Sequence, residues 1–171
     1  MKILAFAGSN SSTSINHQLV TYAASLLNGH ETTVYKMTRY PFPMYSEDAE
    51  KNEGFSNSIV ELVGDIKKVD ALLISVNEHN GGLSAYTKNL LDWLSRFDRK
   101  FLDGKKAVLL SASPGKGGAK SALAQAAKTL PYFGAEVVET FSLPSFYQNF
   151  NEGKIVDPTL DAALKTKLEK L

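Results

Sequence analysis

Short apolar runs alternate with segments of helical periodicity along most of the chain. Three runs are almost continuously apolar, which is typical of strands buried on both faces of a parallel sheet: Lys2–Ala7, Ala71–Val76 and Lys106–Ser111. Two weaker runs, Glu31–Met37 and Ala135–Val138, are also predicted to be strands. The pattern therefore predicts about five strands.

The segments between the strands carry apolar residues three and four positions apart, which predicts helices with one buried face. Strands that alternate with helices favour a parallel sheet covered on both sides. Trp93 lies on one apolar stripe and is expected in the core. Asp92 and Arg96 are four residues apart and are expected to form a surface ion pair. The stripes are Ile15, Leu19, Ala23, Leu26 and Leu27, then Ile59, Leu62, Val63, Ile66 and Val69, then Leu83, Leu90, Leu91, Trp93, Leu94 and Phe97, then Leu123, Ala126, Ala127 and Leu130, and finally Leu160, Leu164, Leu168 and Leu171.

Two segments interrupt this rhythm. Residues Thr38–Gly54 are rich in proline, tyrosine and acidic residues and are predicted to be a surface excursion. Its aromatic residues Tyr40, Phe42 and Tyr45 either wall a site or pack against a partner subunit. The segment Phe141–Pro158 is a long aromatic connection that is expected to contribute to an interface or a pocket wall.

Composition and charge narrow the possible functions. With 171 residues, 43% of them hydrophobic, the chain fits one domain spanning residues 1–171. A net charge of +1 without a basic stripe argues against a nucleic-acid partner. The absence of cysteine excludes disulfides, thiolate metal sites and a cysteine nucleophile, and we expect no metal site. Without a secretory or membrane-spanning apolar run, a cytoplasmic location is expected.

Three polar, glycine-containing segments follow predicted strands, at the edge where open parallel sheets bind ligands. Loop 1 (residues 8–16) reads GSNSSTSIN and precedes a predicted helix. Free N–H groups at a helix N-terminus and small hydroxyl side chains favour one phosphate monoester. The alternative is a hydroxyl-rich helix cap without a ligand.

The other two segments have the same design. Loop 2 (residues 77–82) reads NEHNGG, and its glycines permit close approach of a flat ligand, although an ordinary turn explains them equally well. Loop 3 (residues 111–118) reads SASPGKGG before another predicted helix. Together the loops indicate a pocket for a planar, phosphorylated molecule.

These segments resemble those of the NAD(P)H-dependent FMN reductases, flavodoxin-like proteins that include quinone, azo-dye and chromate reductases. Loop 1 matches the family's GSxRxxSxN, except that Ser11 replaces the arginine. Loop 2, EHNG, with KNLLDWLSR at residues 88–96, is similar to the family's PEYNG and KNAIDWLSR, with Asn77 in place of the proline. Loop 3 is similar to SxSPGGxGG. The resemblance spans roughly the first 140 residues.

The resemblance implies a flavodoxin-like three-layer sandwich with five parallel strands in the order 2-1-3-4-5. It implies bound FMN, NADPH or NADH as co-substrate, a small acceptor such as a quinone, azo dye, chromate or free flavin, and a homodimer or homotetramer. No side chain is expected to act as a catalytic group, since the flavin carries the chemistry. The implied FMN-binding residues are Ser9, Ser11, Ser14, Ile15 and Asn16 around the phosphate, and Glu78, His79, Asn80, Gly81, Ser113, Gly115 and Gly117 around the ring.

Two alternatives remain at this stage. The first is an electron-carrier flavodoxin that a protein partner reduces, although such carriers are strongly acidic. The second is a module without redox activity whose serine-rich loop binds another phosphorylated ligand.

Overall fold

The computed structural model describes residues Met1 to Leu171. A five-stranded parallel sheet forms its centre, in the order β2-β1-β3-β6-β7, and two short antiparallel hairpins lie outside it. The strands are β1 (Lys2–Ala7), β2 (Glu31–Tyr35), β3 (Ala71–Val76), β4 (Glu78–His79), β5 (Gly82–Leu83), β6 (Lys106–Ala112), β7 (Glu136–Leu143), β8 (Phe150–Asn151) and β9 (Lys154–Ile155). The α-helices are α1 (Ile15–Ser25), α2 (Glu47–Glu53), α3 (Asn57–Lys67), α4 (Ala85–Phe97), α5 (Lys120–Thr129), α6 (Phe146–Asn149) and α7 (Pro158–Leu168).

This topology confirms the predicted sheet. Without the hairpin strands β4 and β5, the order reads 2-1-3-4-5 along the chain. The central strand β3 is buried at every position because it lies between β1 and β6 and is covered on both faces. The buried run that predicted this strand therefore reflects its place in the middle of the sheet.

Each face of the sheet carries its own apolar cluster. Alternate residues of β1 divide between them: Leu4 and Phe6 join the cluster under α3, α4 and α5, whereas Ile3 and Ala5 join the cluster under α1 and α7. All five predicted helical stripes contribute buried residues to these clusters, and the strands supply much of the rest. Trp93 is 2% exposed, which confirms its expected place in the core.

The long connection Phe141–Pro158 is more ordered than predicted. Strand β7 continues to Leu143 instead of ending at Val138, and α6 and the β8–β9 hairpin follow it. β7 is an edge strand, so one of its sides pairs with no other strand. Its residues Glu139 and Thr140 are polar, and the apolar pattern therefore did not predict that the strand continues. The surface excursion likewise contains α2.

The predicted Asp92–Arg96 ion pair is wrong. Lys88 Nζ lies 2.6 Å from Asp92 Oδ1, and Arg96 instead donates two hydrogen bonds to Glu50. Lys88 is also one helical turn from Asp92, so these two residues can pair on the helix surface. The Arg96 guanidinium forms two charge-assisted hydrogen bonds with the Glu50 carboxylate, which is a stronger interaction than a single surface contact with Asp92. No helix in the structure combines the length and apolar character needed to cross a membrane.

Candidate functional site

The three loops converge at the carboxyl edge of the sheet. Loops 1, 2 and 3 follow β1, β3 and β6, which are neighbours in the order β1-β3-β6. Loop 3 begins two residues inside the strand, since β6 extends to Ala112. The expected juxtaposition of polar loops is therefore present.

Loop 1 offers a set of free main-chain donors. The N–H groups of five residues form no hydrogen bond within the chain: Asn10, Ser12, Ser14, Ile15 and Asn16. The last two belong to the N-terminal turn of α1, where the helix dipole favours an anion. The loop therefore presents several N–H groups that can donate hydrogen bonds to an anion.

Several loop 1 side chains maintain the loop's own shape. Ser14 Oγ caps α1 by accepting from His17 N at 3.1 Å, and Ser9 Oγ accepts from Ser11 N at 3.3 Å. Ser11 Oγ accepts from Thr13 N at 3.3 Å. The helix-cap interpretation is thus correct for Ser14, and it is compatible with anion binding because the free N–H groups are different ones.

Asn16 connects loop 1 to the neighbouring strands. Its side chain is 2% exposed, and its Oδ1 accepts from Ala112 N at 2.9 Å and from Ser75 Oγ at 2.8 Å. Its Nδ2 donates to Ala112 O at 3.2 Å. Since this side chain is fully engaged inside the protein, Asn16 can contact a ligand only through its backbone N–H.

Loop 2 forms a tight hairpin, so the turn interpretation of its glycines is correct, although its two short strands were not predicted. Strands β4 and β5 pair antiparallel across the two-residue turn Asn80-Gly81, and both turn residues have positive φ, 53° and 78°. Asn-Gly is the preferred pair for such a turn. Asn80 and His79 are exposed, so the hairpin presents polar groups outward.

Glu78 is turned towards α5. Its Oε2 accepts from Ala122 N at 2.9 Å, in the first turn of that helix, and Gln125 Oε1 accepts from Leu83 N at 3.1 Å. Both strands of the hairpin are therefore attached to α5. Glu78 stays a predicted site residue through its backbone, while its carboxylate holds the hairpin in place.

A buried hydroxyl network joins loops 1 and 2, and sequence reasoning missed it. Thr87 Oγ1 donates to Gly8 O at 2.6 Å, and Ser84 Oγ donates to Asn77 Oδ1 at 2.7 Å. The two hydroxyl groups are 3.0 Å apart. Asn77, which replaces the family's proline, thus anchors loop 2 to the start of α4.

Loop 3 is folded against the segment after β7. Ser113 O accepts from Phe146 N and Gly115 O accepts from Ser145 N, at 3.0 and 2.8 Å. Ser113 Oγ donates to Gly115 O, so this side chain stabilises the loop. At Gly115 and Gly117 an added Cβ atom would meet nothing within 4 Å, which means that both positions border open space.

The KNLLDWLSR segment has a role that its sequence did not indicate. Its residues hold the strap (residues 40–53) on α4: Asn89 Nδ2 and Trp93 Nε1 donate to Pro43 O at 2.9 and 2.8 Å, and Arg96 binds Glu50. Tyr45 packs edge-on against Trp93. The strap aromatics therefore pack on their own chain.

Comparison with known proteins identifies the family. A model of the NADPH-dependent FMN reductase family matches residues 1–148. The chain belongs to this family. Membership confirms the resemblance noted in the sequence. The individual FMN-binding residues stay predictions.

Individual relatives differ in how much of their length is matched. A quinone reductase from Escherichia coli K12 is 34% identical over 79 residues, 46% of this chain and 42% of the relative, so the match spans less than half of that protein. An NAD(P)H-dependent FMN reductase from Pseudomonas aeruginosa is 30% identical over 133 residues, 77% of this chain and 70% of the relative.

Solved structures confirm the flavodoxin-like fold. The NAD(P)H:acceptor oxidoreductase FerB from Paracoccus denitrificans superposes with a TM-score of 0.78 at 24% identity, covering 98% of this chain and 93% of FerB. A flavodoxin from Pseudomonas aeruginosa superposes with a TM-score of 0.55 at 18% identity, covering 100% and 99% of the two chains.

Proposed function

We propose that this protein binds FMN at the carboxyl edge of its sheet, reduces it with NADPH or NADH and passes the electrons to a small acceptor. The observation that carries the proposal is the group of five unpaired N–H donors in loop 1, at the N-terminus of α1. The family match supports the flavin and the nicotinamide nucleotide as the two redox partners.

The residues present fit an FMN molecule. The phosphate would accept from the loop 1 N–H groups, and its charge suits the positive end of the α1 dipole. The ring would lie between the hairpin of loop 2 and the open face of Gly115 and Gly117, where no side chain stands in its way. When bound, FMN supplies hydride acceptance and onward electron transfer.

The chain contributes binding and orientation. Asn16, Thr87 and Glu78 fix the three loops relative to each other through buried or half-buried hydrogen bonds. Preorganised N–H donors favour negative charge wherever it develops beside them, without needing to reorient. The polar groups around the site would therefore serve binding.

Two further expectations from the sequence analysis, a homodimer or homotetramer and a cytoplasmic location, stay predictions. Sedimentation velocity across a concentration series tests the first expectation, and a sedimentation coefficient of a monomer at every concentration would contradict it.

The visible spectrum of the purified protein tests the proposed function directly. FMN is added, the free flavin is removed by gel filtration, and the spectrum is recorded anaerobically before and after addition of NADPH or NADH. We expect flavin absorbance that co-elutes with the protein and is bleached by at least one nucleotide. Subsequent addition of a quinone should restore the oxidised spectrum.

The other outcomes identify the alternatives. Retained flavin that neither nucleotide bleaches would favour the electron carrier, in which a protein supplies the electrons. Complete loss of flavin on gel filtration, together with no measurable FMN affinity, would favour a module that binds another phosphorylated ligand. Ferricyanide and free flavin should be tried as acceptors beside quinones, since a Cβ at Gly115 or Gly117 of loop 3 would meet nothing within 4 Å.

A further inference from the structure

Loop 1 lacks any cationic side chain. The family's arginine position is occupied by Ser11, whose hydroxyl lies 3.4 Å from that of Thr13. A phosphate monoester carries close to two negative charges near pH 7. Amide and hydroxyl donors alone leave that charge without a counter-ion, so a counter-ion would have to come from a lysine or arginine outside loop 1.

Lys36 lies at the carboxyl edge of the sheet, at the height where loop 1 begins. It follows β2 directly, and β2 pairs in parallel with β1, with Phe6 opposite Tyr35. Lys36 therefore stands beside Ala7, one residue before loop 1 begins. Its ammonium group forms no ion pair or hydrogen bond within the chain, and the residue is exposed.

The side chain of Lys36 belongs to the α1 face of the sheet. Along β2, Val34 packs with the cluster under α1, whereas Tyr35 packs with the opposite cluster. Lys36 has an extended backbone, with φ −93° and ψ 105°, so the alternation continues and its side chain shares the face of Val34. The N-terminal turn of α1 lies on that same face.

The titration of His17 agrees with this placement. His17 lies in the first turn of α1, and burial lowers its pKa, with a further lowering from the positive charge of Lys36. The ammonium group thus acts electrostatically on the turn whose N–H groups are free. No acidic residue lies within loop 1 to compete for it.

We propose that Lys36 provides the cationic contact to the FMN phosphate in place of the arginine that loop 1 lacks. This contact depends on the proposed FMN binding and adds the source of the positive charge that faces the phosphate. The phosphate would accept from the N–H groups of loop 1 on one side and from the Lys36 ammonium on the β2 side. A cationic side chain at either position 11 or position 36 would therefore supply the same positive charge to the phosphate.

Flavin affinity of matched variants tests the proposal. Dissociation constants for FMN and for riboflavin, which lacks the phosphate, are measured from flavin fluorescence quenching at low ionic strength. Lys36→Gln should weaken FMN binding by roughly tenfold and riboflavin binding less than about twofold, since a charge-assisted phosphate contact is lost. Adding Ser11→Arg to Lys36→Gln should restore most of the FMN affinity.

Lys128→Gln is the matched control. Lys128 is exposed in the last turn of α5, a helix that begins at the carboxyl edge and therefore ends at the other edge. This variant should leave both dissociation constants unchanged. The wild-type FMN affinity should also fall with salt more steeply than that of Lys36→Gln.

The remaining outcomes decide against the proposal. Equal weakening of FMN and riboflavin by Lys36→Gln would indicate a structural role, and an unchanged FMN affinity would show no contact. A selective loss that Ser11→Arg does not repair would place the Lys36 contact away from loop 1, provided that Ser11→Arg alone leaves FMN and riboflavin affinity unchanged and so does not distort the loop. Wild-type protein that binds neither flavin would overturn the proposed function itself. In all the other outcomes the wild-type protein binds FMN, so the two failures can be told apart.

Discussion

At the residue scale, loop 1 separates the groups that shape it from the groups that are free to bind. Ser9, Ser11, Ser14 and Asn16 use their side chains within the protein, whereas five backbone N–H groups have no partner. Recognition of a phosphate here would therefore depend mainly on the main chain. Side-chain deletions are a poor test of such a site, because they alter the loop before they alter the donors.

Substitution Ile15→Pro removes one donor while preserving the backbone. Ile15 is the first residue of α1, where proline is well tolerated, and Ser14 already has φ −57° and ψ 120°, which suits a residue before proline. We expect FMN affinity to fall by about 1.5 to 3 kcal/mol, the worth of a hydrogen bond to a charged group. Isothermal titration calorimetry with FMN and with riboflavin measures this loss.

The control for that experiment is Ile15→Val, which keeps the N–H and a branched apolar side chain. It should bind FMN like the wild type. An Ile15→Pro variant that is folded by circular dichroism and still binds FMN with wild-type affinity would contradict main-chain recognition of the phosphate.

Loop 3 offers a second residue-scale prediction, because its adjacent glycines have different surroundings. Gly118 has φ +63°, and a Cβ there would lie 2.1 Å from Ser142 Oγ, whereas a Cβ at Gly117 would meet nothing within 4 Å. Gly118→Ala should cost about 2 kcal/mol or more in unfolding free energy. Gly117→Ala should stay within about 0.5 kcal/mol of the wild type in urea denaturation.

The variants Gly117→Ala and Gly118→Ala also distinguish an effect on folding stability from an effect on FMN binding. If Gly117 borders the flavin ring as predicted, Gly117→Ala should weaken FMN binding although its stability is unchanged. An affinity equal to that of the wild type would remove Gly117 from the site, and a large loss of stability in Gly117→Ala would contradict the open surroundings of this position.

At the element scale, the strap depends on hydrogen bonds that no local pattern could show. The apolar stripe predicted that Trp93 is buried, but its Nε1–H bond to Pro43 O joins residues 50 positions apart. For the same reason the Arg96–Glu50 pair was missed, since periodicity identifies a helix face and not its distant partner. Predictions succeeded for the central strands, where the apolar run itself records burial, and failed for contacts between separate elements.

Acid should loosen the strap. Hydrogen bonds from Arg96 and Tyr45 hold the pKa of Glu50 below its ordinary value of 4.5. A carboxyl group with a lowered folded pKa stabilises the fold at higher pH, and that contribution is lost as pH falls through the lowered pKa. Trp93, the only tryptophan, should report this loosening as a change in fluorescence below pH 4.5.

Glu50→Gln supplies the comparison, because its amide cannot titrate. This variant should show the loosened strap fluorescence at neutral pH and lose the acid transition below pH 4.5. Since Asp65, Asp98, Glu139 and Asp161 also have lowered pKa values, circular dichroism should follow overall unfolding separately. An acid fluorescence change that persists in Glu50→Gln would assign the transition to one of those groups.

At the scale of the whole molecule, the site is assembled from loops that are far apart in sequence and bonded to each other. Asn16 joins loop 1 to the end of β6, Thr87 joins it to the start of α4, and Glu78 joins loop 2 to α5. The strand order made the meeting of the loops predictable, since β1, β3 and β6 are adjacent in this topology. The bonds between the loops were not predictable, because each needs a register that only the folded sheet defines.

These bonds predict that FMN orders the three loops together. A ligand that binds only the folded site suppresses local opening of every segment coupled to it, and at one hundred times its dissociation constant it adds about 2.7 kcal/mol to stability. Hydrogen exchange with saturating FMN should therefore slow at residues 9–16, 77–83 and 113–118 alike. The β8–β9 hairpin, at Phe150–Ile155, serves as the internal reference and should change less.

The pattern of protection distinguishes coupled loops from independent ones. Slowed exchange confined to loop 1 would mean that the phosphate is bound while loops 2 and 3 open freely, which would contradict the role given to Asn16 and Thr87. Protection of all three loops by FMN, with weaker protection of loop 1 by riboflavin, would place the phosphate in loop 1 and the ring beside the other two. Riboflavin differs from FMN only by that phosphate, so the comparison isolates its contribution.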